Sequence, residues 1–296
     1  MKIKIYNRLI ALALLALLLA LHALLSSAFA QGSLTPPGPP ATTMLTLSQI
    51  EPRTPVDAGH TPGDGNSYLF IISQPGSYYL TTNIVGVVGE SAIEIATNNV
   101  SLDLNGFSIL GIPTDYAPNG ISIPSVNVTN ITVHNGMISG WPNGGGVYSY
   151  ADNVTLEHLT VQANNFGVEC NNNTMVRDCT VDNNYYYGID VIGSDCFITG
   201  NHCNGNDTSK NAGIAGIYVD GSNNRIEGNH ITGTFGNGIF ILNIAGVTNN
   251  IVVQNSVEGD GANDYSFNAS QIVGPIITNA VSGIITNSNP WANFSF

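Results

Sequence analysis

Basic residues are nearly missing from this 296-residue chain: Lys and Arg number 7 against 20 Asp and Glu, for a formal net charge of −13. Three of the seven, Lys2, Lys4 and Arg8, stand together at the N-terminus, which leaves only Arg53, Arg177, Lys210 and Arg225 for everything that follows. So few cations exclude nucleic acid as a partner, because backbone binding needs clustered Lys and Arg. Polyanionic glycans are disfavoured as well unless a cation bridges them. Cys-x-x-C is absent, and the spacings of 9, 17 and 7 between Cys170, Cys179, Cys196 and Cys203 match no zinc template. Only one long apolar run occurs, Leu9 to Leu25, so no membrane span is expected in the mature chain. No nucleophile motif is present. Gly144-Gly145-Gly146 precedes a strand rather than a helix, and reads as a turn instead of a phosphate cradle.

The apolar run follows the basic start and ends in Ser26-Ser27-Ala28-Phe29-Ala30. That order marks a cleavable secretory signal. Cleavage after Ala30 exposes Gln31; an uncleaved anchor is the competing reading, for which the run is slightly short. A secreted, extracellular or cell-surface location is expected, with the periplasm also open. Export permits disulfides. For the cysteines, buried thiols, a disulfide and a metal site all stay open, with Cys170, Cys196 and Cys203 falling at inward positions.

What the chain has in excess is asparagine, 37 residues, beside 33 Gly. Both are turn formers that tolerate positive φ, and charged residues at 9% are too few for a disordered chain. Short apolar runs between many turns predict an all-β chain. A recurring element of Gly or Ala, an aliphatic, any residue and usually another aliphatic centres on Ile93, Ile121, Val147, Val168, Ile189, Ile217 and Ile239, which are 21 to 28 residues apart. A second element, two aliphatics separated by four residues, follows each: Leu104/Ile109, Val133/Ile138, Leu156/Val161, Val176/Val181, Ile198/Cys203, Ile226/Ile231 and Val252/Val257.

One copy is too small to bury its own apolar face, but stacked copies bury a continuous column. The expected architecture is a single-stranded right-handed parallel β-helix of about seven or more coils with a cap at each end. The expected boundaries are a signal peptide at 1–30, a leader and N-terminal cap at 31–78, the β-helix at 79–261 and a C-terminal cap at 262–296. Insertions at 113–119 and 207–212 fall at turns. Asn201, Asn229 and Asn255 share one turn position in consecutive coils, so their side chains should hydrogen-bond up the stack. The sequons at Asn130 and Asn153 read as turn chemistry for the same reason.

The Gly-Ile-x-Val strands and Gly-Asn-x-Ile turns resemble the exported right-handed β-helix repeat proteins of the pectin-lyase-like superfold. The leader Thr46 to Pro55 and the tail Asn289-Pro290-Trp291-Ala292-Asn293-Phe294-Ser295 are similar to the ends of a bacterial branch of that group. The resemblance implies the fold for nearly all of the mature chain and little about activity, since the superfold hosts lyases, hydrolases, epimerases, adhesins and inert spacers. The Asn-Thr-Asp, Asp-Asp, Gly-His-Gly and Arg-Ile-Lys elements of polygalacturonase-like hydrolases do not occur. Pectate-lyase-like enzymes use a calcium-binding carboxylate cluster with a groove arginine, and the repeats offer only Arg177 and Arg225, neither on the strand that carries the acids. The superfold also includes periplasmic proteins that help mature copper sites, and there the resemblance is to fold alone.

In a parallel stack, equivalent outward residues form ladders with rungs roughly 4.8 Å apart. The middle residue of the first strand gives Glu94, Ser122, Tyr148, Glu169, Asp190, Tyr218 and Phe240. Glu169 and Asp190 are therefore adjacent acids and the candidate catalytic pair, which should raise one another's pKa. Tyr148, Tyr185, Tyr186, Tyr187, Tyr218 and Asp182 are the candidate ligand-binding residues. Aromatic rings stack on sugar faces, while acids bind hydroxyls, calcium or a proton; calcium is the candidate cofactor. The competing reading is a solvated face with tyrosines chosen for strand propensity. The expected role is carbohydrate binding, of a polysaccharide or cell-surface glycan, or an extracellular structural module. A polysaccharide lyase or glycoside hydrolase working at Glu169 and Asp190 is the alternative. His202 and His230 share a ladder that could take a transition metal but has no third ligand. His134, Glu157 and Arg177 form a surface salt-bridge row.

Overall fold

Three short strands per repeat pair only with their counterparts one repeat away, and every strand-to-strand ladder is parallel. The computed structural model describes residues 12–19, 53–112, 118–211, 213–278 and 288–296. The chain divides into two units, Met1–Pro52 and Arg53–Phe296. Within the first, residues 12–19 are helical and exposed, and no described helix is long and apolar enough to cross a membrane. The expected cleavage point and the Pro-rich leader lie outside the described residues.

The second unit is the right-handed parallel β-helix. Its strands form one nine-stranded sheet and one 18-stranded sheet, which contains two strands from most coils, so the solenoid makes about nine coils. Parallel pairing begins at Thr54–Pro55 and extends to Asn293–Ser295. The nine-stranded sheet stacks Ile93, Ile121, Val147, Val168, Ile189, Ile217 and Ile239 in one column, each 0% exposed. Each such side chain contributes about 1.5–3 kcal/mol by leaving water, and because each coil touches only its neighbours, stability is built rung by rung.

The 18-stranded sheet pairs the second-element aliphatics as spaced, with one correction. Val133 pairs with Leu102, not Leu104. Leu104 instead fills the corner after that strand: its N–H donates to the His134 carbonyl at 2.8 Å, and a Cβ on Gly136 would lie 2.3 Å from its own. The corner between the two strands of this sheet belongs to asparagine in later coils, where Asn201, Asn229, Asn255 and Asn293 form a buried column. Two further columns were not anticipated: Asn164, Asn184 and Asn206, and Asn224, Asn250 and Gln271.

These columns account for two other sequence features. Cβ atoms on Gly146, Gly167 and Gly188 would come within 2.9 Å of the amides of Asn164, Asn184 and Asn206 respectively, which favours glycine before the core aliphatic in these three repeats. Cysteine, in turn, tops two of the columns. The Cys179 N–H donates to Asn201 Oδ1 at 3.1 Å and its thiol points to the Leu156 carbonyl, as Asn201 Nδ2 points to the Val176 carbonyl one coil on. Cys196 does the same above Asn224, with its thiol on the Asn171 carbonyl at 3.0 Å. All four cysteines are free and buried, including Cys179, whose corner position the strand alternation alone does not reveal. The sequon asparagines 130 and 153 have φ of 59° and 57° and continue an exposed ladder from Asn99.

Candidate functional site

The outward ladder of the nine-stranded sheet runs Ile71, Glu94, Ser122, Tyr148, Glu169, Asp190, Tyr218, Phe240 and Ser266, each residue paired with the next. Glu169 and Asp190 are direct partners. Their surroundings are not those of a solvated face. Asp190 is only 7% exposed, and its Oδ1 has no hydrogen-bond partner among the described residues. Burial, followed by the charges of Glu169 and Asp220, pushes its carboxyl up to about 8. Glu169 is raised too, by burial, while half-exposed in its ladder position.

Aromatic rings stand beside the pair. Tyr187 lies 4.6 Å from Tyr218, which stacks on Phe240 at 5.3 Å with planes 12° apart. On the other side Phe166 stacks on Tyr186 at 5.6 Å and on Tyr187 at 6.2 Å, and Tyr185 meets Tyr186 edge-on at 4.8 Å. The result is a continuous aromatic strip beside the acid pair. Burial, then the neighbouring Asp190, moves the Tyr187 hydroxyl up to about 12. Tyr148 closes the other flank of Glu169; burial and a hydrogen bond with Tyr150 raise its hydroxyl.

The strip is held by backbone rather than by side chains. The N–H groups of Tyr185 and Tyr186 donate to the carbonyls of Asn164 and Asn165, both at 2.8 Å. The Tyr186 carbonyl accepts from the Asp207 N–H of the following coil at 2.9 Å. Tyr185 and Tyr186 also line a groove of about 680 Å³ with Asn143, Asn165, Asn183 and Thr208.

Glu169, Asp190, Tyr148, Tyr187 and Tyr218 thus come together, with Tyr185 and Tyr186 continuing the surface towards the groove. Asp182 does not join them. It belongs to the 18-stranded sheet, pairs with Gln162 and Asn204, accepts the Asn204 N–H at 3.1 Å and faces His202 Nδ1 at 3.8 Å. Phe166 and Asp220 are the residues that sequence reasoning missed. Phe166 was findable: it stands directly before the repeat glycine, as Tyr187 does one coil later. Among the described residues no three of His, Cys, Asp and Glu gather as a metal cage. A carboxyl held protonated near neutral pH suits hydrogen bonding better than it suits the ionised-oxygen shell that calcium takes. The pair can donate a proton from Asp190, accept hydrogen bonds at Glu169, and flank a ring stacked on Tyr218.

The row of His134, Glu157 and Arg177 is present as spaced, with Arg177 bonded to Glu157. His202 and His230 stack at 5.3 Å, planes 20° apart.

Compared with known proteins, residues 91–294 match the family profile described as periplasmic copper-binding protein (NosD). That goes beyond the likeness of fold expected from the sequence. The crystal structure of the Dettilon tailspike protein (gp208) is similar with 17% identity and a TM-score of 0.57, covering 78% of this chain and 50% of that one. A mutant tailspike protein of E. coli bacteriophage HK620 in complex with pentasaccharide has 14% identity and a TM-score of 0.47, covering 81% and 50%. The chain therefore spans half the length of each of these two, and the likeness is one of fold. No curated protein matches the chain.

Proposed function

The chain belongs to the family described as periplasmic copper-binding protein (NosD), and from that footing we propose that it is an exported β-helix that binds carbohydrate along its nine-stranded sheet. The observation that carries this reading is Asp190: a nearly buried carboxyl with an unpartnered oxygen, set in a run of stacked rings. A buried polar atom without a partner costs about 1–3 kcal/mol, and a sugar hydroxyl docked on Tyr218 would supply the missing bond once a ring shift uncovers that oxygen. Rigid tyrosines offer stacking area with little side-chain entropy to lose.

Copper, which the family's description names, does not suit the donors in place. It takes thiolates, thioethers and imidazoles. The four cysteines are buried, and those at 179 and 196 spend their thiols on backbone carbonyls. The rings of His202 and His230 lie nearly parallel, so their in-plane lone pairs run side by side instead of converging. Asp182 Oδ1 stands 3.8 Å from His202 Nδ1, yet no three of His, Cys, Asp and Glu among the described residues gather closely enough to hold a metal.

A second reading, hydrolysis or elimination at the same face, rests on one specific observation. Asp190, pushed up to about 8, stands beside Glu169, which burial also raises. Two carboxyl groups on adjacent rungs, one of them able to hold a proton near neutral pH, are what glycosidic bond cleavage uses. A glycan array probed with and without calcium, on the wild type and on Glu169→Gln/Asp190→Asn, tests both readings. Binding to defined glycans that the double variant loses supports the proposal; release of reducing ends or unsaturated products from the bound glycan supports the second. Equal binding by wild type and variant would return this face to a purely structural role.

A further inference from the structure

We infer that the ligand of this face is a glycan bearing protonated amino groups, such as a chain of free glucosamine units, and not a polyuronate; the inference rests on the carbohydrate reading above. Charge on the nine-stranded sheet is of one sign. Glu94, Glu169 and Asp190 stand in the ladder, and Asp64 and Asp220 lie close enough to raise Glu94 and Asp190 respectively. The described arginines are engaged elsewhere: Arg53 bonds to Asp103, Arg177 to Glu157 and Arg225 to Glu227, all three pairings in or beside the 18-stranded sheet. Lys210 ends the turn whose N–H groups at Asp207 and Ser209 donate to the carbonyls of Tyr186 and Tyr185, at the far end of the strip from the acid pair. No basic residue among those described stands in the nine-stranded sheet to neutralise a carboxylate or sulfate ester, and a uronate over Glu169 and Asp190 would meet two acids already crowded by burial.

An ammonium group meets the opposite situation. Asp190 Oδ1 has no partner among the described residues and no open surface, on a residue 7% exposed, so it accepts from the ammonium once a neighbouring tyrosine ring shifts. Glu169 is one rung away, and the partly exposed rings of Tyr187 and Tyr218 add cation–π attraction. Carboxylates flanked by aromatic rings are how proteins recognise amines, and the sugar ring itself gives Tyr218 and Phe240 a face to stack on. Placing a cation beside the pair also ends the mutual repulsion of Glu169 and Asp190 once Asp190 gives up its proton. The proton leaves to solvent, so binding should be accompanied by proton release.

Calorimetry on the full exported chain, with the β-1,4-linked glucosamine hexamer, its fully N-acetylated counterpart and a galacturonate hexamer, tests this. The free-amine hexamer should bind about tenfold or more tighter than the acetylated one, with the preference reduced by salt. Its apparent heat should change between buffers of different ionisation enthalpy, reporting the released proton. Glu169→Gln/Asp190→Asn should bring the two hexamers to within about twofold, whereas Glu258→Gln, on the other sheet, should leave the preference intact. Equal affinity for both hexamers, still lost in Tyr218→Ala, would overturn the charge inference and leave the carbohydrate reading standing. Tighter binding of the galacturonate hexamer would overturn it too. A preference that Glu258→Gln weakens as much as the double variant does would mean diffuse attraction to an acidic protein and would also sink it. Failure of all three sugars to bind would take down the carbohydrate reading with it.

Discussion

Asn201 donates twice to one atom: both its backbone N–H and its Nδ2–H reach Oδ1 of Asn229, each at 3.0 Å. Asn229 repeats the arrangement onto Asn255, which repeats it onto Asn293. Because each amide in the column serves as acceptor to the coil before it and donor to the coil after, the corner of the solenoid is a hydrogen-bonded spine. Asn229→Ala removes the acceptor for two buried donors and leaves the Ile198 carbonyl without its side-chain partner. It should lower unfolding stability by about 2–4 kcal/mol, read as a shift in the urea midpoint; an unmoved midpoint would show that the column is ornamental.

The repeat, its parallel stacking and the outward ladder were legible because period-2 alternation and a 21-to-28-residue spacing are local signals. The corners were not. Leu104, Cys179 and Cys196 fill turns in which backbone direction, not alternation, decides what faces inward, so the sequence reading put Leu104 in the place of Leu102 opposite Val133 and left Cys179 unplaced. The site was half legible. Spacing aligned Glu169 with Asp190 and Tyr148 with Tyr218. It could not show that Tyr187 stacks on Phe166 and meets Tyr218, or that Asp190 is buried, because ring positions depend on the loop that the carbonyls of Asn164 and Asn165 hold. Asp182 lies on the far side of a corner for the same reason: only Asn183 and Asn184 separate it from Tyr185, yet the chain leaves the 18-stranded sheet between them.

Inward and outward positions should separate sharply under mutation. Ile189, 0% exposed, carries the core column, so Ile189→Asp buries a charge without a partner and should cost roughly 3–5 kcal/mol or prevent folding. Asp190→Asn should be tolerated at acidic pH. Melting temperatures measured at pH 5 check this, and an equal loss in both variants would contradict the assigned register.

The buried acids also fix the sign of the pH dependence. Asp190, at about 8, and Asp260, at about 7, both lie above their ordinary value of 3.8, so the folded chain holds protons that the unfolded chain has released. Their contribution is complete below about pH 4 and is lost as pH rises through 7 and 8. The melting temperature should therefore fall from pH 5 to pH 8.5. Asp190→Asn should flatten that fall and raise stability at pH 8.5 by about 1–3 kcal/mol. A melting temperature that climbs over this interval, or an unchanged slope in the variant, would show that Asp190 is not held neutral.

Stacking on the strip is tested most directly by the affinity of Tyr218→Ala for the glycan the wild type binds best. Tyr218 sits between Asp190 and Phe240 on the ladder and contacts Tyr187, so its ring is the centre of the surface. Calorimetric titration of the two proteins, each first shown to melt cooperatively, should give a loss of about 10- to 100-fold, the worth of one aromatic face of about 1–3 kcal/mol. Equal affinity in a folded Tyr218→Ala protein would place any glycan binding elsewhere and contradict the account.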